Sequence, residues 1–332
     1  MPADREITVK AGVLEGLFEE MRADPAVVVI GEDVGAAGGV FLQTEGLFEA
    51  FGPARVIDTP ISEAAILGIA TGAAMTGLRP VVEVMFGDFM TLVMDQLVNQ
   101  AAKVRYMSAG GFCAPLVLRT AIGVGGNLGP QHSQSFHAWV AHIPGLKVAM
   151  PATARDAKGL IKAAIRDDDP VVFFENRALY NLKGPVPDGD YVVPLGVAEV
   201  KRAGTDVTIV AVGAALQIAA KAAVALAERG VSVEIVDPRT LVPLDLETIL
   251  ASVRKTSRAL VLDLGHQSFG VTGELASTIG ALAFDYLDAP IERLGAPDVP
   301  VPFARSLEPL SMPTAEQVVE RILRMFGSRA GH

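Results

Sequence analysis

Cysteine is almost absent: Cys113 is the only one in 332 residues. No internal disulfide and no thiolate zinc cluster can form within one chain, and such sparing use fits a reducing compartment. Near Phe112 and Pro115, Cys113 reads as a small buried residue at the start of a strand rather than a reactive thiol. Basic runs are missing too. The 28 Lys and Arg face 38 Asp and Glu, a net charge of −10 with no local Lys/Arg patch, which excludes nucleic acid as an expected partner. The least polar stretch, Ala64 to Leu78, is short of a membrane span and rich in Gly and Ala, and the first ten residues hold no apolar targeting core. A soluble, cytoplasmic protein with no membrane partner is expected. Neither a GxxxxGK[ST] phosphate loop nor a GxSxG nucleophile elbow occurs, and GVGGNLG from Gly123 departs from GxGxxG at its last position. Nucleotide-binding and serine-hydrolase chemistries lose support.

What is present is apolar and regular. Half the residues are hydrophobic, 20% are charged and 33 are Gly, the balance of a well-buried globular chain, and the length suits two domains. Apolar runs of strand length alternate with helix-period segments, the pattern of an α/β protein whose largely parallel sheets are flanked by helices. Strands are expected near residues 27–30, 55–58, 80–86, 115–121, 146–150 and 171–175, with helices over 62–75, 89–106 and 153–166. From Arg177 to Pro194 the periodicity stops in a stretch rich in Pro, Gly and Asp. The expected organisation is a first domain over 1–180, a linker over 181–203 and a smaller α/β domain over 204–332.

Histidines and one glutamate carry the candidate chemistry. His132, His137 and His142 are spaced five apart, which turns a helix by about 500° and denies them a common face for zinc. His137 and His142 are expected to pack beside Trp139 on a partly buried helix, leaving His132, in a Gly/Pro-rich loop, as the candidate. Glu63 opens a helix, where a carboxylate complements the positive dipole end. The same helix holds only small and apolar residues up to Arg79, so Glu63 equally reads as a carboxylate at the mouth of a deeply buried element that needs a specific partner. Phe86 and Phe89 at a strand-to-helix junction suit either a core or a pocket wall. At Arg166-Asp167-Asp168-Asp169-Pro170 three carboxylates oppose the negative end of a helix, as a solvated turn or as a place where a cation would bring relief.

Several long segments resemble one family: IGEDVG from Ile30, FGPARVIDTPISEA from Phe51, GLRPVVEVMFGDF from Gly77, MDQLVNQAAKVRYMSAGG from Met94, QHSQS from Gln131, HIPGLKVAMPATARDAKGLIKAAIRDDDPVVFFEN from His142, and DPRTLVPLD in the second domain. The family comprises the beta subunits of the thiamine-diphosphate-dependent first component of 2-oxo acid dehydrogenase complexes (pyruvate or branched-chain) and the related acetoin dehydrogenase subunit. The resemblance implies a transketolase-like pyrimidine-binding domain followed by a transketolase C-terminal-like domain. It implies an oxidoreductase that decarboxylates a 2-oxo acid and passes the acyl group to lipoamide, with acetoin cleavage and a non-catalytic assembly role as alternatives. Glu63 matches the family's glutamate that shares a proton with N1′ of the aminopyrimidine, a remote general acid–base acting through the cofactor. Phe89 matches the aromatic that stacks on that ring, with Phe86 as a nearby wall. His132 matches the histidine that donates a proton near the substrate carbonyl or the arriving lipoyl group, while His266 has no counterpart that can be mapped. A structural potassium ion is implied at main-chain carbonyls of Leu116, Ala164, Ile165, Asp167 and Asp169.

The family's magnesium and diphosphate site uses a GDG sequence with a downstream Asn. Here the nearest fragment, Pro187-Asp188-Gly189-Asp190, lies in the linker and lacks what should follow. The resemblance therefore implies an alpha subunit that anchors magnesium and the diphosphate, an α2β2 heterotetramer, and a lipoyl acyltransferase core as the further partner. A self-sufficient transketolase-like enzyme would instead bind the cofactor alone.

Overall fold

The computed structural model describes residues 5–327, which form two compact units. The first is built on a seven-stranded sheet in the order Thr240–Val242, Lys147–Ala149, Val171–Asn176, Val117–Ile122, Arg79–Phe86, Val27–Gly31, Val56–Asp58. Adjacent strands from Lys147–Ala149 through Val56–Asp58 run parallel. Val27–Gly31 and Val117–Ile122 are buried at every position, because helices cover both faces and leave no solvated side to alternate with. Helix Val9–Ala23 packs along helix Ala154–Arg166. The approach is close enough that a Cβ on Gly12 would stand 2.6 Å from Ala154 O. Thr153 starts the second of these helices by accepting the Asp156 N–H through its hydroxyl at 3.1 Å and bonding the Asp156 carboxylate at 2.6 Å.

The second unit holds a five-stranded sheet in the order Glu292–Ala296, Ala259–His266, Val207–Ala211, Val233–Asp237, Glu199–Arg202, with only the last strand antiparallel to its neighbour. Helix Ala215–Ala227 stops just before Gly230, whose φ of 77° suits a residue without Cβ. Among the described residues no helix is long and apolar enough to cross a membrane.

Four details depart from the sequence expectations. Residues 181–203 are not an irregular linker throughout: Lys183–Val186 pairs with Arg5–Thr8 as a two-stranded ribbon, where Pro185 is tolerated, and Glu199–Arg202 joins the second sheet. The single helix expected over 89–106 is broken into a 3₁₀ segment Gly87–Leu92, a π segment Gln96–Ala101 and a short helix Val104–Met107. The wide turn shows in Ala102 N–H bonding Leu97 O, five residues back, which re-aims every side chain that follows. Residues 123–138, from the first half of the chain, cluster with the second unit, and Leu241–Pro243 with the first. Cys113 is half-buried in the loop ahead of the strand rather than in it.

Candidate active site

Because Val27–Gly31 runs parallel to both Val56–Asp58 and Arg79–Phe86, the residues following these strands emerge along one edge of the first sheet. That edge collects Glu32, Glu63, Phe86 and Phe89. Glu63 is the acidic residue in the first turn of helix Glu63–Met75; Ser62 caps nothing with its side chain. Only the face formed by Ile66, Leu67, Ala70, Thr71 and Ala74 is buried, while Ile69 is 64% exposed. The helix is thus half-covered within this chain and not the deeply buried element expected, and Glu63 itself is partly exposed. Helix Glu63–Met75 packs against the 3₁₀ segment that carries Phe89.

The two phenylalanines separate in character. Phe86 is buried, edge-on to Phe41 with ring centroids 5.5 Å apart and to Phe89 at 5.8 Å, and the Arg177 guanidinium lies 5.9 Å from its ring centre. Phe89 stays half-buried, so it carries the accessible aromatic surface. A carboxylate and a partly accessible flat ring on adjoining elements are compatible in kind with an aminopyrimidine, the one as a hydrogen-bond partner and the other as a stacking surface.

Glu32 was not singled out from the sequence, although IGEDVG announces it: two acids directly after a buried strand. Its carboxyl is pushed above the usual carboxylate range by burial, then by the nearby charges of Asp33 and Glu63. The loop that follows is tied down by Gly35 N–H donating to Asp58 Oδ1 at 2.6 Å. Glu32 and Glu63 are therefore close enough for the charge of one to raise the carboxyl of the other.

Behind this edge lies a buried charge cluster. Arg119 donates through Nε to Glu175 at 2.8 Å and through Nη1 to Glu83 at 2.5 Å, and all three side chains are buried. Burial alone would lower the Arg119 guanidinium, but Glu175 and Glu83 outweigh it and hold it above its ordinary value. Burial raises Glu83 despite Arg119, and burial, then Glu175, raises Tyr180. A charge inside each of three neighbouring apolar strands, Glu83, Arg119 and Glu175, was the signal available for this cluster.

His132 lies on a loop belonging to the second unit, whereas Glu63 belongs to the first. His132 is half-buried. His137 does not simply pack beside Trp139, which is 55% exposed: it is 1% exposed and its Nε2 meets Asp263 Oδ2 at 2.7 Å. His142 is exposed. His266 bonds Pro297 O at 2.8 Å and lines, with Ser133, Gln134 and Phe269, a cavity of about 540 Å³ in the second unit.

The aspartate run after helix Ala154–Arg166 finds its relief in side chains. Arg79 donates to Ile165 O at 3.1 Å, to Asp167 O at 3.0 Å and to the Asp168 carboxylate at 2.6 Å. Lys147 holds Asp167 at 2.7 Å and Arg105 holds Asp169 at 2.6 Å. Leu116 O accepts the Val171 N–H and Ala164 O the Asp167 N–H. Protein cations thus neutralise the three carboxylates, and the carbonyls of Leu116, Ala164, Ile165 and Asp167 each accept one protein hydrogen bond. Among the described residues no group of three or more His, Cys, Asp or Glu is arranged to hold a metal.

Comparison with known proteins places both domains in a family. Residues 5–183 match the transketolase pyrimidine-binding domain and residues 196–318 the transketolase C-terminal domain. The chain is 46% identical to the pyruvate dehydrogenase E1 component subunit beta of Rhizobium meliloti (strain 1021), over 97% of this chain and 71% of that protein. It is 47% identical to the mitochondrial pyruvate dehydrogenase E1 subunit beta-1 of Arabidopsis thaliana, over 95% and 88%. It is 45% identical to the acetoin:2,6-dichlorophenolindophenol oxidoreductase subunit beta of Bacillus subtilis (strain 168), over 98% and 99%. A split-gene transketolase, solved as an inactive beta4 tetramer, shares the fold with a TM-score of 0.78 at 23% identity, covering 97% of this chain and 98% of that one. With both domains matched and near-half identity along almost its whole length, the chain belongs to the family of pyruvate dehydrogenase E1 and acetoin oxidoreductase beta subunits, built on transketolase-like domains.

Proposed function

We propose that this chain is the beta subunit of a thiamine-diphosphate-dependent 2-oxo acid dehydrogenase component, active with an alpha subunit in an α2β2 assembly that delivers acyl groups to a lipoyl acyltransferase. The observation that carries it is Glu63 at the start of a helix that packs against the 3₁₀ segment bearing the half-buried Phe89, with Glu32 near enough to feel its charge. When bound, the cofactor supplies a carbon nucleophile that can accept the electrons released on decarboxylation. Glu63 would share a proton with a ring nitrogen of the aminopyrimidine, and Phe89 would offer the stacking surface, with Phe86 packed edge-on against it. Glu32, whose carboxyl is shifted upward by burial and by its acidic neighbours, stands close enough to Glu63 to feel its charge. His132 donates a proton during acyl transfer.

The alpha partner is supported by what this chain lacks and by what it exposes. It has no GDG sequence with a following Asn for magnesium and diphosphate. Its first unit displays Ile61 at 75%, Ile69 at 64%, Tyr106 at 90% and Met107 at 78% exposure, more apolar surface than an isolated subunit should leave in water. A structural potassium ion at the main-chain carbonyls of Leu116, Ala164, Ile165, Asp167 and Asp169 belongs to the same proposal; four of these oxygens each accept one protein hydrogen bond, which leaves a second lone pair for a cation. A cytoplasmic location belongs to the same proposal, supported by the acidic composition and the single cysteine. The acetoin reading is favoured by a relative of equal similarity and uses the same side chains.

The test is to co-express the chain with its alpha subunit and follow decarboxylation with an artificial electron acceptor over pyruvate, branched-chain 2-oxo acids and acetoin. Glu63→Gln is expected to lose about 10²–10⁴-fold in rate, the usual worth of a positioned acid–base group. An unaltered rate would leave this chain as an assembly subunit. Tight binding of thiamine diphosphate and magnesium to the isolated chain in titration calorimetry would favour the self-sufficient reading.

A further inference from the structure

The loop Gly123–Ser135, which bears His132, is rich in glycine and in left-handed backbone. Gly123, Gly125, Gly126, Asn127 and Gly129 all have positive φ, and the internal main-chain bonds Gly123 N–H to Gln134 O and His132 N–H to Gly129 O are long, at 3.4 and 3.5 Å. A segment of this kind has many accessible conformations, so contacts from outside must select one. Three such contacts come from the second unit. Asn127 N–H donates to the buried Glu308 carboxylate at 2.9 Å. Gly129 lies against the Phe303 ring so closely that a Cβ would stand 2.3 Å from it. His137, five residues beyond His132, donates through Nε2 to Asp263 at 2.7 Å, where both side chains are buried. The Asp263 carboxylate is itself fixed by accepting the Leu264 N–H at 2.8 Å, and Gly265 leaves the space, since a Cβ there would meet Asp263 Oδ2 at 2.8 Å and His137 Cε1 at 3.0 Å.

We infer that His137 and Asp263 are a positioning couple for His132: the buried hydrogen bond clamps the carboxyl-terminal root of the loop to the end of strand Ala259–His266 and so sets where His132 delivers its proton. Resting on the proton-donor role given to His132 above, the couple makes the second unit a part of the acyl-transfer step. A histidine tied to a buried carboxylate has little rotational freedom, and small displacements of a proton donor cost large factors in rate.

The experiment uses the assembled α2β2 enzyme and two assays, one reading decarboxylation with an artificial acceptor and one reading acyl transfer to a lipoyl domain. In His137→Gln and Asp263→Leu the lipoyl-dependent rate is expected to fall about tenfold more than the artificial-acceptor rate, the same imbalance that His132→Ala produces. Asp263→Asn, which keeps an oxygen for the His137 N–H, should recover most of it. The double variant His132→Ala/His137→Gln should be no slower in acyl transfer than His132→Ala alone. Parallel loss of both rates, or effects that multiply in the double variant, would show a merely structural pair and overturn the inference. An impaired His132→Ala beside a fully active His137→Gln would overturn the couple alone. An unimpaired His132→Ala would instead remove the role of His132 and the couple with it. Should His137→Gln fail to assemble, Asp263→Asn against His132→Ala/Asp263→Asn carries the same comparison.

Discussion

Replacing Arg119 by Met removes the only guanidinium bonded to two buried carboxylates, Glu83 and Glu175, while nearly conserving the length of the side chain. Arg119 is 1% exposed, Glu83 7% and Glu175 2%, so no water can take over its bonds without opening the first sheet. Breaking a buried pair by deleting one partner costs about 3–5 kcal/mol, because the other charge is left uncompensated. For a unit of this size that corresponds to a melting temperature lower by roughly 6–20 °C. The loss should depend on pH. Burial already raises Glu83 in the intact protein, and without Arg119 its proton is held more firmly still. A carboxyl raised in the folded state binds protons that the unfolded chain releases, so stability falls as pH rises from its ordinary range near 4.5 through the raised value. Arg119→Met should therefore be penalised more at pH 8 than at pH 5.5, measured by thermal or urea unfolding of the assembled enzyme with the intact protein alongside. The triple variant Glu83→Gln/Arg119→Met/Glu175→Gln should recover part of the loss, since no net charge then stays buried. A midpoint unchanged in Arg119→Met, or a deficit identical at both pH values, would refute the electrostatic account of this core.

Two further outcomes follow from local geometry. Arg79→Met takes hydrogen bonds from Ile165 O and Asp167 O and a partner from Asp168, and should cost about 1–3 kcal/mol in urea unfolding, whereas Arg105→Met, whose side chain is 47% exposed, should cost less than about 1 kcal/mol. Gly145→Ala must place a Cβ 2.0 Å from Ala102 O at φ 99° and should destabilise by more than about 2 kcal/mol, while Gly77→Ala, at φ 109° with nothing within 4 Å, bears only the left-handed penalty of about 1–2 kcal/mol. Thermal unfolding of the two variants side by side separates collision from backbone strain.

Much of the first sheet is written in the chain itself. VVVIG, VLRTAI and VVFFEN are too apolar to have a wet face, so burial under helices follows from composition, and Thr153 with Asp156 announces a helix start through chemistry confined to four residues. Glu63 and Phe89 were legible as candidates for the same reason, being fixed relative to elements a few residues away. The segment from Phe89 to Tyr106 was not legible, because a single i→i+5 bond leaves no trace in apolar spacing yet shifts everything after it. Long-range partnerships were hidden too. Glu83, Arg119 and Glu175 are separated by 36 and 56 residues, and His137 from Asp263 by 126, so only strand order and packing decide that they meet. The exposed apolar side of helix Glu63–Met75 is the converse case: its small and apolar residues suggested burial on all sides, and tertiary structure covers just one. Local hydrogen bonding and hydrophobic period act over a turn of chain and can be read in one dimension; the pairing of buried charges and the anchoring of the His132 loop need distant segments brought together, which only the folded molecule does.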